Sequence, residues 1–438
     1  MMRKALLAIF TAATVLAAAC ITLRPDRAIR VGTGLVSHTL CSAAFISGLD
    51  PDQVYAETVK PMGKMVLLDW ALRYNVDNTR QEVTTSFAGL FRSRAVYREG
   101  MGCLVVRGVP PPVSLAGGAA PGTVDPLPKV ETANEKLRAV LERLFARPDL
   151  ATKAVVVIHD GRIIAERYAP GYGTTTPMQG WSVRKSVINA LVGILVRHGR
   201  LVVEQPAPVP LWRNPADPRH EITIDHLLRM TSGLALGETR SGFDPVSRML
   251  FLEPDMAAFA ERARLEAKPG SRWQYSTGNT VILSRIIRDA VGGTPGDVLR
   301  FARRELFEPL GMSSMILEFD AAGTPTSMYA SARDWARFGM LFANGGMYDG
   351  QRILPEGWIR YSTSPTLNRG YGAGWWLGGP RWRRDWSLPD DAFYASGHLH
   401  QKLLVVPSAR LVIARFGVTH LDDDGFGWLA ENVLSTLE

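Results

Sequence analysis

Strand-like sequence stands at both ends of the larger part of this chain and helix-like sequence fills the middle, an order that admits few folds. Two apolar runs, residues 154–158 and 162–168, flank Asp160-Gly161, the kind of dipeptide that closes a two-residue β-hairpin. Near the other end, residues 401–406 and 410–416 are joined through Pro407-Ser408 and read as a second pair of strands. Between them lie helical patterns: a long apolar run, 187–196, behind Ser182; a short helix at 224–230; and one at 280–290 closed by Gly292-Gly293. A further helix spans 332–343, with Ser331 and Asp334 as a capping-box-like start and Asn344-Gly345-Gly346 as a stop. Leu137, Val140, Leu141 and Leu144 mark a helix ahead of the first hairpin, and a last helix covers about 427–437. The expected fold is α/β, with one antiparallel sheet assembled from both ends of the region and a helical subdomain inserted between them. No internal repeat interrupts this order.

The remaining sequence divides unevenly. Arg3 and Lys4 precede an uncharged stretch, 5–23, so residues 1–23 read as a signal peptide or an N-terminal anchor, associating the protein with the inner membrane and placing it in the periplasm. Cys20 follows Ala17-Ala18-Ala19, but Leu16 stands one place early for a lipoprotein site, which ranks below anchor or cleaved signal. Residues 24–107 form a small module with no legible role, and 108–130, rich in Pro, Gly and Ala, read as a linker to a domain at 131–438. Cys41 and Cys103 both fall in the module, and in an exported chain they are expected to pair. The 50 Lys+Arg against 42 Asp+Glu are scattered over helix faces, which disfavours nucleic-acid binding. Oligomeric state is not legible.

Chemistry concentrates in three places. Ser182 and Lys185 lie three residues apart at the head of the apolar helix, so the amine can reach the hydroxyl, and burial would lower the lysine's pKa toward that of a general base. Tyr275-Ser276-Thr277-Gly278-Asn279 opens the 280–290 helix, where Thr277 or Asn279 is available as a cap. Ser396-Gly397-His398 stands just before the 401–406 strand, small residues letting a substrate lie close to backbone. His398 and His400 at a strand end suggest ligands, yet no further His, Asp or Glu at metal spacing joins them, so neither metal nor other cofactor is expected.

Taken in order, Ser182-x-x-Lys185, Tyr275-x-Thr277 and Ser396-Gly397-His398 resemble the three motifs of serine β-lactamase-related hydrolases. The phrases at 224–234, Pro309-Leu310-Gly311-Met312 and 331–345 resemble the class C β-lactamase and esterase branch, and Tyr275-Ser276-x-Gly278-Asn279 is similar to the form in 6-aminohexanoate-dimer hydrolases. The resemblance implies a β-lactamase/transpeptidase-like fold, Ser182 as the acylated nucleophile, Lys185 as its base and Tyr275 as proton shuttle, its pKa lowered by nearby cations. It further implies an oxyanion site between the backbone N–H groups of Ser182 and His398, with Thr277, Ser396 and Gly397 bordering the substrate.

Departures narrow the substrate. Many relatives carry lysine at the head of the third motif, where it holds a substrate carboxylate; Ala395 stands there, which points to a neutral ester or linear amide unless an arginine substitutes. Thr277 replaces an asparagine, and Leu399 and His400 stand where relatives often have glycines. Thr231-Ser232-Gly233 reads as a structural turn, and Tyr371, Trp375, Trp376, Trp382 and Trp386 as core or lid rather than cleft wall. The leading expectation is an exported serine hydrolase cleaving a small-molecule ester or amide. A β-lactamase or D,D-peptidase, and a catalytically silent binding or sensor module of the same fold, are the alternatives.

Overall fold

The computed structural model describes residues 24–108, 129–379 and 386–437. The proposed export segment, most of the linker and Trp382 lie outside these.

The first described element, α1 (Pro25–Ser42), packs on an antiparallel sheet of β1 (Leu72–Asp77), β2 (Glu82–Phe87), β3 (Leu90–Arg98) and β4 (Gly102–Val106). Val36 and Leu40 on α1 meet Val83 and Ala95 from the sheet, and Cys41 is disulfide-bonded to Cys103 with Cα atoms 6.1 Å apart. The helical stretch Pro25–Ser47 is long and apolar enough to cross a membrane, but 67% of its apolar 18-residue window is buried inside the protein.

After α2 (Glu135–Phe145) come β5 (Thr152–His159) and β6 (Arg162–Tyr168), whose turn residues Asp160 and Gly161 both take positive φ, 51° and 76°, as a type I′ turn requires. A short strand β7 (Met178–Gln179) leads toward helix α3 (Arg184–Arg197). The helical region continues through α4 (Pro245–Leu252), α5 (Thr277–Val291) and α6 (Pro295–Ala302). Next come β8 (Ile316–Phe319), β9 (Pro325–Ala330), α7 (Ala332–Ala343) and the small hairpin β10 (Met347–Tyr348) and β11 (Gln351–Arg352). The chain closes with β12 (Trp376–Leu377), β13 (Phe393–Gly397), β14 (Gln401–Val406), β15 (Leu411–Gly417) and α8 (Phe426–Ser435).

The main sheet runs β12-β13-β14-β15-β5-β6, antiparallel throughout, with β15 from the end of the chain paired to β5 from the start: Ile413 opposes Val157. Its strands are apolar on both faces because both are covered. Ala154, Val156 and Ile158 enter the large core beneath α7 and the helical region, while the alternate residues Val155 and Val157 enter a second core with α2 and α8. Leu403 and Val405 against Leu404 and Val406 divide the same way.

Several expectations needed adjustment. The helix at 332–343 has half a capping box: Ser331 accepts from the Asp334 N–H, but the Asp334 carboxylate is taken by Ser314 and Arg337 instead. Helices α4 and α6 and strands β8 and β9 went unread, being short and set among loops. Ser182 sits not in α3 proper but in the single 3₁₀ turn Trp181–Val183 ahead of it.

Candidate active site

Helix α3 is buried along most of its length, from Arg184 to Leu195, which explains its apolar sequence and puts Ser182 and Lys185 deep in the molecule. Its flank is fixed by Asn189, whose side chain donates to the Ala373 carbonyl at 2.8 Å and accepts from Trp358 Nε1 at 3.0 Å. Ser186 donates to the Gly374 carbonyl at 2.8 Å. Ahead of the helix, Trp181 holds φ at 49°, a left-handed conformation costly for a non-glycine residue, so Ser182 is presented by a constrained turn.

Lys185 Nζ donates to Ser182 Oγ at 2.9 Å and to Thr277 Oγ1 at 3.0 Å, and lies 4.6 Å from the centroid of the Tyr275 ring. Burial brings its pKa from 10.5 down to about 7; Glu238 pulls upward, and the cations Arg184 and Arg240 push further down. Thr277 is thus a partner of the amine. The cap of α5 is neither Thr277 nor Asn279 but Ser276, which accepts from the Gly278 N–H; Asn279 instead accepts from Ser232 at 2.8 Å, tying in the 231–233 turn.

Tyr275 corrects one expectation. Its phenol, which hydrogen-bonds with Ser182, has a pKa pushed well above the ordinary 10, because burial and the Glu238 carboxylate outweigh Ser182 and the cations. It is a neutral phenol rather than a tyrosinate. Trp376 stacks on it at 5.7 Å, and Tyr371 and Trp273 meet it at 6.0 and 6.4 Å, so part of the aromatic group walls the site. Trp375 and Trp386 belong to the two cores.

The third motif divides. Gly397 passes so close to the Ser182 turn that a Cβ there would stand 2.4 Å from the Gly180 carbonyl oxygen and 3.1 Å from Trp181 Cβ. His398 packs edge-on to Trp181 at 5.1 Å, and Arg240 donates to its Nδ1 at 2.9 Å, which leaves the ring proton on Nε2. Burial, then Arg240, bring His398 down to about 3, so it is neutral. Ser396 is not brought to this group. Strand alternation turns its side chain to the opposite face, where Lys402 donates to it at 3.2 Å. His398 and His400 diverge as well: the latter pairs with Asp424 at 2.9 Å. Leu399 and His400 both have positive φ, 58° and 63°, the backbone reason glycine suits these two places.

Three charged residues unread in the sequence complete the site. Glu238 accepts from the Thr277 N–H at 2.7 Å. Arg184 is only 4% exposed, lines the cavity in front of Ser182, and neither Nη atom has a hydrogen-bond partner. Arg240 borders the same cavity from the loop before α4. An arginine inside an apolar helix, two residues from Ser182, was the available signal; Glu238 and Arg240 lie in a loop without pattern.

With this geometry, the comparison with known proteins is direct: residues 137–418 match the Beta-lactamase family. The chain belongs to that family. It is a hydrolase of the β-lactamase fold. It is similar to the 6-aminohexanoate-dimer hydrolase of Paenarthrobacter ureafaciens, at 22% identity over 54% of this chain and 62% of that protein. Among solved structures it resembles a penicillin-binding protein homolog from Caulobacter crescentus, with TM-score 0.57 and 19% identity over 72% of this chain and all of the other. A family VIII carboxylesterase superposes with TM-score 0.56 and 14% identity, over the same shares of the two chains.

Proposed function

We propose that the protein is an exported serine hydrolase that forms an acyl-enzyme on Ser182 and cleaves a carboxylic ester or a linear amide. The observation that carries this reading is the buried Lys185 amine, 2.9 Å from Ser182 Oγ with a pKa near 7, half of it neutral at neutral pH. Neutral Lys185 takes the Ser182 proton as Oγ attacks the substrate carbonyl carbon. The oxyanion is received by the N–H of Ser182, in a first helical turn that leaves it without an intrahelical acceptor, and by that of His398. As the intermediate collapses, Tyr275 passes its phenolic proton to the leaving alcohol or amine and recovers one from the Lys185 ammonium beside it, which carries the proton taken from Ser182. Water, deprotonated along the same relay, then releases the acid.

Ester or linear amide is favoured over β-lactam by Ala395, which leaves the head of the third motif without a cation, and by the likeness to a carboxylesterase and to a 6-aminohexanoate-dimer hydrolase. Export rests on the charged and apolar N-terminal sequence together with the Cys41–Cys103 bond. Intact-mass measurement after a fluorophosphonate probe, with Ser182→Ala alongside and a penicillin in parallel, tests the reading. Labelling of the wild type alone, with no penicillin adduct, supports it. A stable penicillin adduct points to the β-lactamase or D,D-peptidase alternative, and no labelling at all to a silent binding module.

A further inference from the structure

The space in front of Ser182 does not end at the catalytic group. It continues as a cavity of about 480 Å³, within the roughly 300–1,000 Å³ that encloses a small organic ligand. Its two ends differ in chemistry. Ser182, Thr277, Gln179, Glu238, Arg184 and His398 line the near end. The far end lies between α1 and α4 and is lined by Ile29, Val31 and Leu35 from the first and by Val246 and Leu250 from the second, with Met65 beneath. His38, the titratable group on that wall, is engaged by Glu318 at 3.2 Å.

Residues from Pro25 to His38 line it, so at a rise of 1.5 Å per residue the wall runs for about 20 Å along α1. Its rim is apolar and open. Leu67 and Phe243, both lining residues, are 67% and 54% exposed, and Val66 and Trp70 beside Leu67 are 57% and 73% exposed. Large side chains rarely face water together without a partner or ligand to cover them. The module at 24–107 therefore supplies one wall of the site, apolar but for His38, whose Nε2 is already engaged by Glu318.

We propose that this cavity holds an unbranched hydrocarbon chain of the substrate, so that the enzyme cleaves esters or amides of long-chain acids or alcohols. The inference rests on the serine hydrolase reading above and adds the substrate class. The carbonyl is placed at Ser182 by the polar end, and the chain runs between α1 and α4, each buried methylene raising kcat/KM by up to about fourfold.

The test is a chain-length series on the full-length protein: p-nitrophenyl esters from acetate to palmitate, and acetate esters of alcohols from ethanol to hexadecanol, all as monomers below their aggregation limits. Leu35→Trp and Leu250→Trp, on opposite walls, shorten the cavity. In the wild type kcat/KM is expected to rise at least 100-fold from the shortest to a mid-length member of one series, and the series that rises identifies which half of the substrate is buried. Either tryptophan is expected to cut the ratio of long- to short-chain kcat/KM at least tenfold; a fold defect lowers both rates and leaves that ratio alone. Activity on short esters with a flat or falling profile in both series, as when a protein segment fills the cavity, overturns the proposal and leaves the hydrolase reading standing. Ratios unchanged in both variants overturn it too. No hydrolysis of any member overturns the hydrolase reading itself, and the proposal with it.

Discussion

If Lys185 is the base, the acid limb of kcat/KM belongs to it, and its neighbours determine where that limb falls. At pH 7 an ordinary lysine with pKa 10.5 is neutral in about 3 molecules in 10⁴, whereas one at about 7 is neutral in half, so the buried environment raises the population of competent base roughly 1,500-fold. The rate should climb tenfold per pH unit below pH 7 and flatten above it, with no descending limb from Tyr275, whose phenol stays protonated beyond pH 10. Glu238 favours the ammonium and reaches it through Thr277, by contacts of 2.7 and 3.0 Å. At about 8 Å and an effective dielectric of about 20, the charge is worth about 2 kcal/mol, so Glu238→Gln should move the limb down by about 1.5 pH units. Arg184 acts in the opposite sense, and Arg184→Met should move the limb up. The assay is kcat/KM from pH 5 to 9.5 on a neutral ester, in buffers of constant ionic strength. A wild-type limb near pH 10, or a Glu238→Gln limb displaced upward, would refute the assignment.

Further tests use single substitutions. Tyr275→Phe should lower kcat by about 10²- to 10⁴-fold by removing the proton relay, measured on an ester with a poor leaving group. Lys185→Met should abolish activity yet stabilise the fold. A lysine whose folded pKa is lowered from 10.5 to about 7 is destabilising in full below pH 7, and the cost disappears as pH rises through 10.5, so after the loss of two hydrogen bonds a net gain of about 1–3 kcal/mol is expected in urea denaturation at pH 6. Gly397→Val forces β13 away from the Gly180 carbonyl and should cost at least about 10²-fold in activity with unchanged far-UV circular dichroism.

The two-ended sheet was legible because its strands carry long apolar runs between turn residues, and β5 and β15 found each other through matched length and burial. Ser182, Lys185 and Tyr275 were legible for a different reason: they are chemically specific residues in short fixed phrases. Side-chain direction was not. Ser396 stands in the third motif but faces Lys402, a fact settled by strand parity rather than residue type. Nor were charges brought in by loops: Glu238 and Arg240 reach the site only because the chain between residues 235 and 244 folds back over α5, and no periodicity announces that. The nearby cations alone would lower the Tyr275 pKa, and burial, which no sequence pattern displays, reverses the sign. The module at 24–107 was opaque for the same reason as the loops, since its apolar residues serve a wall shared with sequence more than 200 positions away.

How that wall is held can be tested at Glu318 on β8. Its carboxylate is buried at 1% exposure and gathers three groups from the N-terminal module: Ser42 donates at 2.8 Å, the Cys103 N–H at 3.0 Å, and His38 Nε2 lies 3.2 Å away as an ion pair. Gly102 is required beside it, because a Cβ there would stand 2.3 Å from Glu318 Cγ. Burial opposes charge on both partners, yet His38 is held above its ordinary 6.5 by the carboxylate, and Glu318 is held below its ordinary 4.5 by His38 and the two donors. The signs set a window. A raised histidine stabilises fully below 6.5 and loses its contribution as pH climbs through its folded value, while a lowered carboxylate stabilises above 4.5 and loses its contribution as pH drops through its own. The joint is strongest at about pH 5 to 6. Glu318→Gln keeps the shape and removes the charge, so it should destabilise by about 2–4 kcal/mol in that window and by less at alkaline pH, as His38 gives up its proton. Urea denaturation of the pair at pH 5.5 and 8.5 measures it, and a loss equal at both values would mean that packing alone, not this ion pair, seats α1 beside the Ser182 cavity.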